Sequence, residues 1–291
     1  KAPVFNSEDH IILDRDQQFI PQMVSHVTTD LWQGAVHGRG ASTMWAWERT
    51  TEPTSDFWGS VLFRPDVVAA VGKTNLHLNR LSYEVSALQN EAANVGLLDS
   101  NVSRVYSMSY VDGIDKAYIA ASYSGQKVGF ITERQIANNQ FDQYKVVVIP
   151  QATNVLGTTL AGIKAFIQGG GKVIILGNGS LAKNEHNQAL PQNDITYIFN
   201  HATVISTTLT GDKSTITAPS QTEIKNTFFN TFDILGLNNV VLIDTSTNQP
   251  VYGVEWRSSR YNGKTIINMC NYNWSIFPNI AIKVKGQQID S

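Results

Sequence analysis

The pattern of apolar and polar positions changes twice along the chain, so the sequence divides into three stretches. In the first, residues 1–95, short apolar runs alternate with two long segments of helical periodicity, at about 14–37 and 65–89. The apolar residues of the second segment recur at spacings of three, four or seven, which places them along one side of a helix. The predicted element order of this stretch is β-α-β-α.

The middle stretch, residues 96–239, places short apolar runs between helical segments. The runs are apolar at almost every position, which is typical of parallel strands covered on both faces. Their alternation with helices over short connections predicts a doubly wound, flavodoxin-like parallel sheet. The predicted strands are 102–108, 127–131, 145–149, 172–176 and 203–205, and the predicted helices are 116–122, 158–168 and 220–235.

The last stretch, residues 240–291, consists of short apolar runs joined by turns that contain Asn, Gly and Pro. Asn262-Gly263 is the residue pair favoured in two-residue hairpin turns. This texture predicts a small antiparallel β domain, so the fold class of the whole chain is α/β. The predicted strands are 240–243, 251–256, 264–269 and 280–284.

The overall composition is that of a folded chain without a strongly charged binding surface. Hydrophobic residues make up 42% of the 291 residues and charged residues 16%, and the formal net charge is -2. Binding to nucleic acid or to an anionic membrane requires an excess of basic side chains that this chain lacks. We therefore expect neither of these partners.

Cysteine and histidine usage argues against a metal centre and against an amidotransferase. Cys270 is the only cysteine, which excludes an intrachain disulfide and a cysteine-clustered zinc site. It also lies outside residues 96–239, where an amidotransferase would need a cysteine nucleophile after a strand. The six histidines are scattered, and no pair has the i, i+4 spacing of a helical zinc motif. The sequence predicts no metal and no cofactor.

Two segments of the first stretch resemble the last quarter of a clan A glycoside hydrolase barrel. They are the run from Lys1 to Glu8, and the run from Met44 to Arg49 followed by Arg64-Pro65 at the start of a long helix. With the two stretches that follow, the layout resembles the β-galactosidases of glycoside hydrolase family 42. The resemblance implies that 1–95 is the end of a (β/α)8 barrel, that 96–239 is an amidotransferase-like but non-catalytic domain with a role in oligomerisation, and that 240–291 is a small β domain.

The resemblance implies a catalytic role for Glu8, as the nucleophile at the carboxyl end of the seventh barrel strand. Barrel enzymes carry their active sites at that face. Retaining hydrolysis needs an ionised carboxylate about 5–5.5 Å from a second, protonated carboxyl, and a strand end holds such a group rigidly. Without the resemblance, Glu8 would be interpreted as a loop carboxylate or a charge at a helix start.

The same resemblance suggests residues that bind the sugar. Trp47 is our candidate for a platform under the pyranose ring, and Trp45 is either a second such contact or a packing residue. Glu48 either binds sugar hydroxyls or pairs with the adjacent arginine. His10 touches the substrate, orients Glu8 or has a structural role. These alternatives remain open from the sequence.

The family pattern also contains a general acid/base, a glutamate that follows an asparagine at the end of the fourth barrel strand. No barrel strand before the seventh is present here, so we expect an N-terminal polypeptide of the same precursor to supply this residue, or the sequence to be a fragment. An alternative is that Glu48 is the acid. The predicted function is hydrolysis of β-galactoside-type or related oligo- or polysaccharides without a cofactor, with homo-oligomers as a further expectation. The alternative function is a non-catalytic carbohydrate-binding or assembly protein on a hydrolase-like framework.

Overall fold

The computed structural model describes residues 4–11, 23–45, 47, 61–141, 143–177, 179–206, 222–272 and 277–285. The chain divides into two compact units. The first unit comprises Lys1–Glu91 and Ser258–Cys270, and the second comprises Ala92–Arg257 and Asn271–Ser291.

The first unit has the predicted β-α-β-α order. Its strands β1 (Val4–Asp9) and β2 (Arg39–Met44) pair in parallel, from Val4 opposite Arg39 to Asp9 opposite Met44. Two helices pack on each other, and Val27 of the first and Val67 of the second belong to the same buried apolar cluster. The predicted long helix is interrupted at Leu81, where the backbone leaves the helical region, so two helices form in its place. The elements are β1 (Val4–Asp9), α1 (Met23–Val36), β2 (Arg39–Met44), α2 (Pro65–Arg80) and α3 (Ser82–Asn90).

The second unit is built on a five-stranded parallel sheet. Its strands are β3 (Val95–Asp99), β4 (Val128–Thr132), β5 (Val146–Pro150), β6 (Lys172–Leu176) and β7 (Thr203–Ile205). Their order in the sheet is β4-β3-β5-β6-β7. That order is the flavodoxin-like one, so the structure confirms the predicted doubly wound α/β fold.

Helices surround this sheet, and the central strand is fully covered, since Val146 to Ile149 have no exposed surface. Complete burial explains why the strand is apolar at every position instead of alternating with polar residues. The helices of this unit are α4 (Asn101–Tyr106), α5 (Met108–Ser122), α6 (Glu133–Ala137), α7 (Gly157–Gln168), α8 (Gln192–His201) and α9 (Thr222–Ile234).

The prediction of a strand at 102–108 is wrong, because this segment contains α4 and the start of α5. Ser100 caps α4 by accepting a hydrogen bond from the backbone N–H of Ser103 at 2.9 Å. The cap starts a helix in a segment whose valines favour strands, and Val105 is 82% exposed instead of buried in the sheet. The true strand, β3, lies just upstream. The helices α6 and α8 were not predicted.

The C-terminal strands are antiparallel, as predicted. Strand β8 (Val240–Asp244) pairs with β12 (Ile280–Val284) on one side and with the short β9 (Gln249–Pro250) on the other. Strands β10 (Val254–Tyr261) and β11 (Lys264–Asn271) form a separate hairpin. Its turn has φ values of 49° at Asn262 and 74° at Gly263, the pair of positive angles that a type I′ turn requires.

Among the described residues, no helix is long and apolar enough to cross a lipid bilayer. The same residues contain no group of three or more His, Cys, Asp or Glu side chains that could hold a metal ion.

The close packing of α6 on α7 predicts that a methyl group added at Gly162 strongly destabilises the fold. A Cβ atom added to Gly162 would overlap with the carbonyl oxygen of Ile136. We expect Gly162→Ala to lower the free energy of unfolding by about 2 kcal/mol, because the two helices must move apart. Gly157→Ala in the same helix is the control, since its Cβ would meet nothing closer than Glu185 at 3.8 Å. Urea unfolding followed by circular dichroism tests this, and equal stability of the two variants would contradict it.

Candidate functional site

The candidate site begins at the carboxyl end of β1, where Glu8 and Asp9 have opposite environments. Asp9 is buried, whereas the side chain of Glu8 is 62% exposed. The Asp9 carboxylate accepts a hydrogen bond from Nη1 of Arg39 at 2.7 Å, and Nη2 of the same arginine donates to Asp30 of α1 at 2.7 Å. Asp9 therefore faces the helix α1. The pairing of β1 with β2 is irregular between Asn6 and Asp9, and Glu8 is exposed next to the buried Asp9.

His10 and Trp45 lie beside Glu8. The His10 Nε2 atom is 3.7 Å from Oε2 of Glu8, which is within ion-pair distance but too long for a hydrogen bond. The ring centroids of His10 and Trp45 are 6.1 Å apart. Trp45 is held there by its backbone N–H, which donates to the carbonyl oxygen of Asp9 at 2.9 Å. We call Glu8, His10 and Trp45 the Glu8 cluster.

The remaining candidates from the sequence follow β2. That strand ends at Met44, earlier than the run that includes both tryptophans suggests, so Trp45 and Trp47 lie in the segment after it. Trp47 is 43% exposed, and its carbonyl oxygen accepts a hydrogen bond from the backbone N–H of Leu62 at 2.9 Å. Glu48 lies outside the described residues.

Sequence reasoning missed the arginine that organises this strand end. Arg39 begins β2 and bonds two carboxylates, one from β1 and one from α1, so that a buried acid is compensated. Burial raises the pKa of Asp30, and the neighbouring Arg39 opposes that rise. The sequence offered no clear signal for this bridge, because β1 does not alternate regularly between buried and exposed residues.

The carboxyl edge of the flavodoxin-like sheet has a different character. Glu133 follows β4 and is buried, and it accepts a hydrogen bond from the backbone N–H of Leu156 at 2.6 Å. The hydroxyls of Ser100 and Ser103, at the end of β3, both donate to the carbonyl oxygen of Asn154. These polar groups bind one another and tie the ends of β3 and β4 to the start of α7. Their bonds join these parts of the fold.

In sequence, no protein-family model and no curated protein matches this chain. In structure, it is similar to an exo-carrageenase of glycoside hydrolase family 42 from Bacteroides ovatus, with a TM-score of 0.73, 20% identity, and 99% of this chain and 38% of that chain covered. Gan42B, a family 42 β-galactosidase from G. stearothermophilus, gives a TM-score of 0.63 at 13% identity, over 97% of this chain and 54% of that one. A β-galactosidase from Bacillus circulans sp. alkalophilus gives 0.50 at 17% identity, over 64% and 29%.

These similarities define the class of protein by its fold. The chain has a glycoside hydrolase-like fold that corresponds to part of a family 42 enzyme, which confirms the resemblance inferred from its sequence. It spans between about a third and a half of the length of these neighbours.

Loss of the Arg39 bridge is expected to destabilise the first unit. In Arg39→Met the buried Asp9 carboxylate loses its cation, a change that typically costs about 3 kcal/mol or more. Backbone amides of α1 and β1 should then exchange with deuterium about a hundredfold faster. Arg104→Met is the control, because its ion pair with Asp99 is solvent-exposed and contributes at most about 1 kcal/mol. Unchanged exchange in Arg39→Met would refute the role of the bridge.

Because the carboxyl of Glu133 is buried, we expect the stability of the second unit to depend on pH. Burial raises the pKa of its carboxyl above the ordinary value of 4.5, although the donated hydrogen bonds oppose this. When the folded-state pKa is raised, the stabilisation that this carboxyl contributes is fully present below its unfolded-state pKa. It is lost as the pH rises through its folded-state pKa. In Glu133→Gln this loss should vanish, so the stability difference between variant and wild type should grow in favour of the variant as the pH rises. Urea unfolding between about pH 4 and about pH 8 measures it. A constant difference would contradict the assignment.

Proposed function

We propose that this chain carries the nucleophile of a retaining glycoside hydrolase and that Glu8 is that nucleophile. The observation that carries the proposal is the position of Glu8 at the carboxyl end of a parallel strand, where its side chain is exposed while the adjacent Asp9 is buried and bound to Arg39. In a closed barrel, the face opposite the helices is the lumen, and active sites lie at the carboxyl ends of the strands. The Glu8 side chain would therefore project into the active site.

The neighbours of Glu8 fit this chemistry. The Glu8 carboxylate would attack the anomeric carbon while a second carboxyl, about 5–5.5 Å away, protonates the departing oxygen. Water would then cleave the glycosyl-enzyme ester with the second carboxyl acting as base. His10, whose Nε2 atom lies 3.7 Å from the Glu8 carboxylate, would help to hold that carboxylate in place. Trp45 and Trp47 would offer apolar ring faces to the C–H face of the sugar.

The second carboxyl would come from a companion polypeptide, the N-terminal piece of the same precursor. In the described part of the chain, β1 and β2 pair only with each other, and Val4 and Phe5 of β1 are 60% and 61% exposed. Parallel sheets normally have many strands and both faces covered, so this pair would be completed by further strands. In this proposal 1–95 is the barrel portion, 96–239 the flavodoxin-like domain and 240–291 the small β domain.

The substrate class follows from the structural neighbours. By their names they are β-galactosidases and an exo-carrageenase, so we propose β-galactoside-type or related glycans as substrates. Fold similarity at this level of identity supports the class of bond and leaves the individual glycan to experiment.

The companion is tested first, by mass spectrometry of the protein purified from its native source. We expect a second polypeptide that contains Asn-Glu after an apolar run. A lone chain that binds glycans without hydrolysing them would instead support the non-catalytic alternative.

With the companion present, Glu8→Gln should lower the turnover of a nitrophenyl β-galactoside at least about a thousandfold while the circular dichroism spectrum stays unchanged. Glu223→Gln, an exposed glutamate of α9, is the matched control and should retain full activity.

Azide distinguishes a nucleophile from an acid/base. In Glu8→Ala, azide should attack the anomeric carbon directly and give the glycosyl azide with inverted configuration, because the covalent intermediate is bypassed. Residual hydrolysis near the wild-type rate, or an azide product with retained configuration, would remove Glu8 from the nucleophile role.

A further inference from the structure

A concave site lies in the second unit. The cavity has a volume of about 360 Å³, which is at the small end of the range for ligand sites. It is formed by the turn between β8 and β9, the start of β10, the end of β11 and one side of α9. Its polar lining consists of Lys225, Asp244, Thr247, Gln249 and Asn271.

The polar lining contains donors and acceptors in balance. The lining contains one carboxylate and one ammonium group, so its formal charge is zero, and two amides and one hydroxyl add groups of both kinds. A phosphorylated ligand would call for an excess of cations, and a metal ion for several carboxylates. A neutral ligand that carries many hydroxyl groups matches this balance.

Two of these polar side chains are placed side by side by the sheet. Asp244 and Gln249 are directly opposed in the antiparallel pairing of β8 and β9. Opposed residues in such a pair have their Cβ atoms about 4.5–5.5 Å apart on the same face. A carboxylate and an amide at that spacing can bind two neighbouring hydroxyl groups of one ring.

Hydrogen bonds from Ser246 fix the Asp244 side chain in position. Its Oδ1 atom accepts hydrogen bonds from the hydroxyl of Ser246 and, at 2.8 Å, from its backbone N–H. These bonds lower the pKa of Asp244 below its ordinary value, so the group is an acceptor at neutral pH. A side chain fixed in advance loses little freedom when a ligand binds.

The remaining lining is apolar and rigid. Val251 and Val254 are buried, and Pro250, Pro278 and Tyr252 are partly exposed. The Tyr252 ring packs edge-on against Tyr123, with centroids 5.4 Å apart, which fixes it. A sugar ring has polar edges and apolar C–H faces, so it needs both kinds of surface.

We propose that this cavity binds a neutral carbohydrate unit, as a non-catalytic site that operates whether or not Glu8 is a nucleophile. Asp244 and Gln249 bind the hydroxyl groups, Lys225 donates to a third oxygen, and the proline and tyrosine surfaces contact the C–H face.

The test is saturation-transfer NMR of the purified chain with lactose, cellobiose and D-galactose as separate probes, each titrated to about 50 mM. We expect saturable binding of at least one probe, and at least about tenfold weaker binding in Gln249→Ala and in Lys225→Met. Gln192→Ala, an exposed glutamine of α8, is the control that should bind like the wild type, and Glu8→Gln reports whether a probe occupies the Glu8 cluster instead.

Two results would overturn the proposal: no saturable binding of any of the three probes, or binding that Gln249→Ala and Lys225→Met leave unchanged. If Glu8→Gln alone weakens binding, the sugar occupies the Glu8 cluster and the proposed cavity is refuted. Loss of activity in the Glu8 variants, in contrast, tests only the proposed hydrolase function, so the two proposals fail separately.

Discussion

The first unit depends on one guanidinium group that joins a strand to a helix. Arg39 binds Asp9 at the end of β1 and Asp30 in α1, each at 2.7 Å. Because Asp9 is buried, the arginine must stay in place, and the end of β1 cannot rotate without exposing an uncompensated charge. The preceding residue, Glu8, is exposed and lies beside His10, whose ring is near that of Trp45.

The second unit has a similar polar network at its sheet edge but uses it differently. Glu133, Ser100 and Ser103 lie where many doubly wound proteins bind ligands, at the carboxyl ends of neighbouring strands. Here their hydrogen bonds end on backbone groups of Asn154 and Leu156, so the network closes the edge of the sheet. The same fold position thus contributes stability in this chain. The chemistry proposed for the protein lies in the other unit.

Much of this architecture was accessible from local patterns. Runs such as Val146 to Ile149 are apolar throughout because the finished strand is covered on both faces, and the Asn262-Gly263 turn adopts the positive φ angles that only such residues reach easily. The prediction failed where a local hydrogen bond outweighed strand propensity. Ser100 caps a helix at a segment rich in valine, and no periodicity signal reveals which of the two wins.

The residues of the candidate site could be named from the sequence, whereas their arrangement could not. The residue types, their places after two strand-like runs and the resemblance to a barrel enzyme were all present in the sequence, and they were enough to select Glu8, His10 and the tryptophans. The direction of Glu8, the contact of His10 with it and the bridge through Arg39 were not, because each joins residues from different elements. Alternation along a strand is a local property, but the choice between its two faces depends on where the helix packs and which charge must be buried. Only the folded chain supplies both.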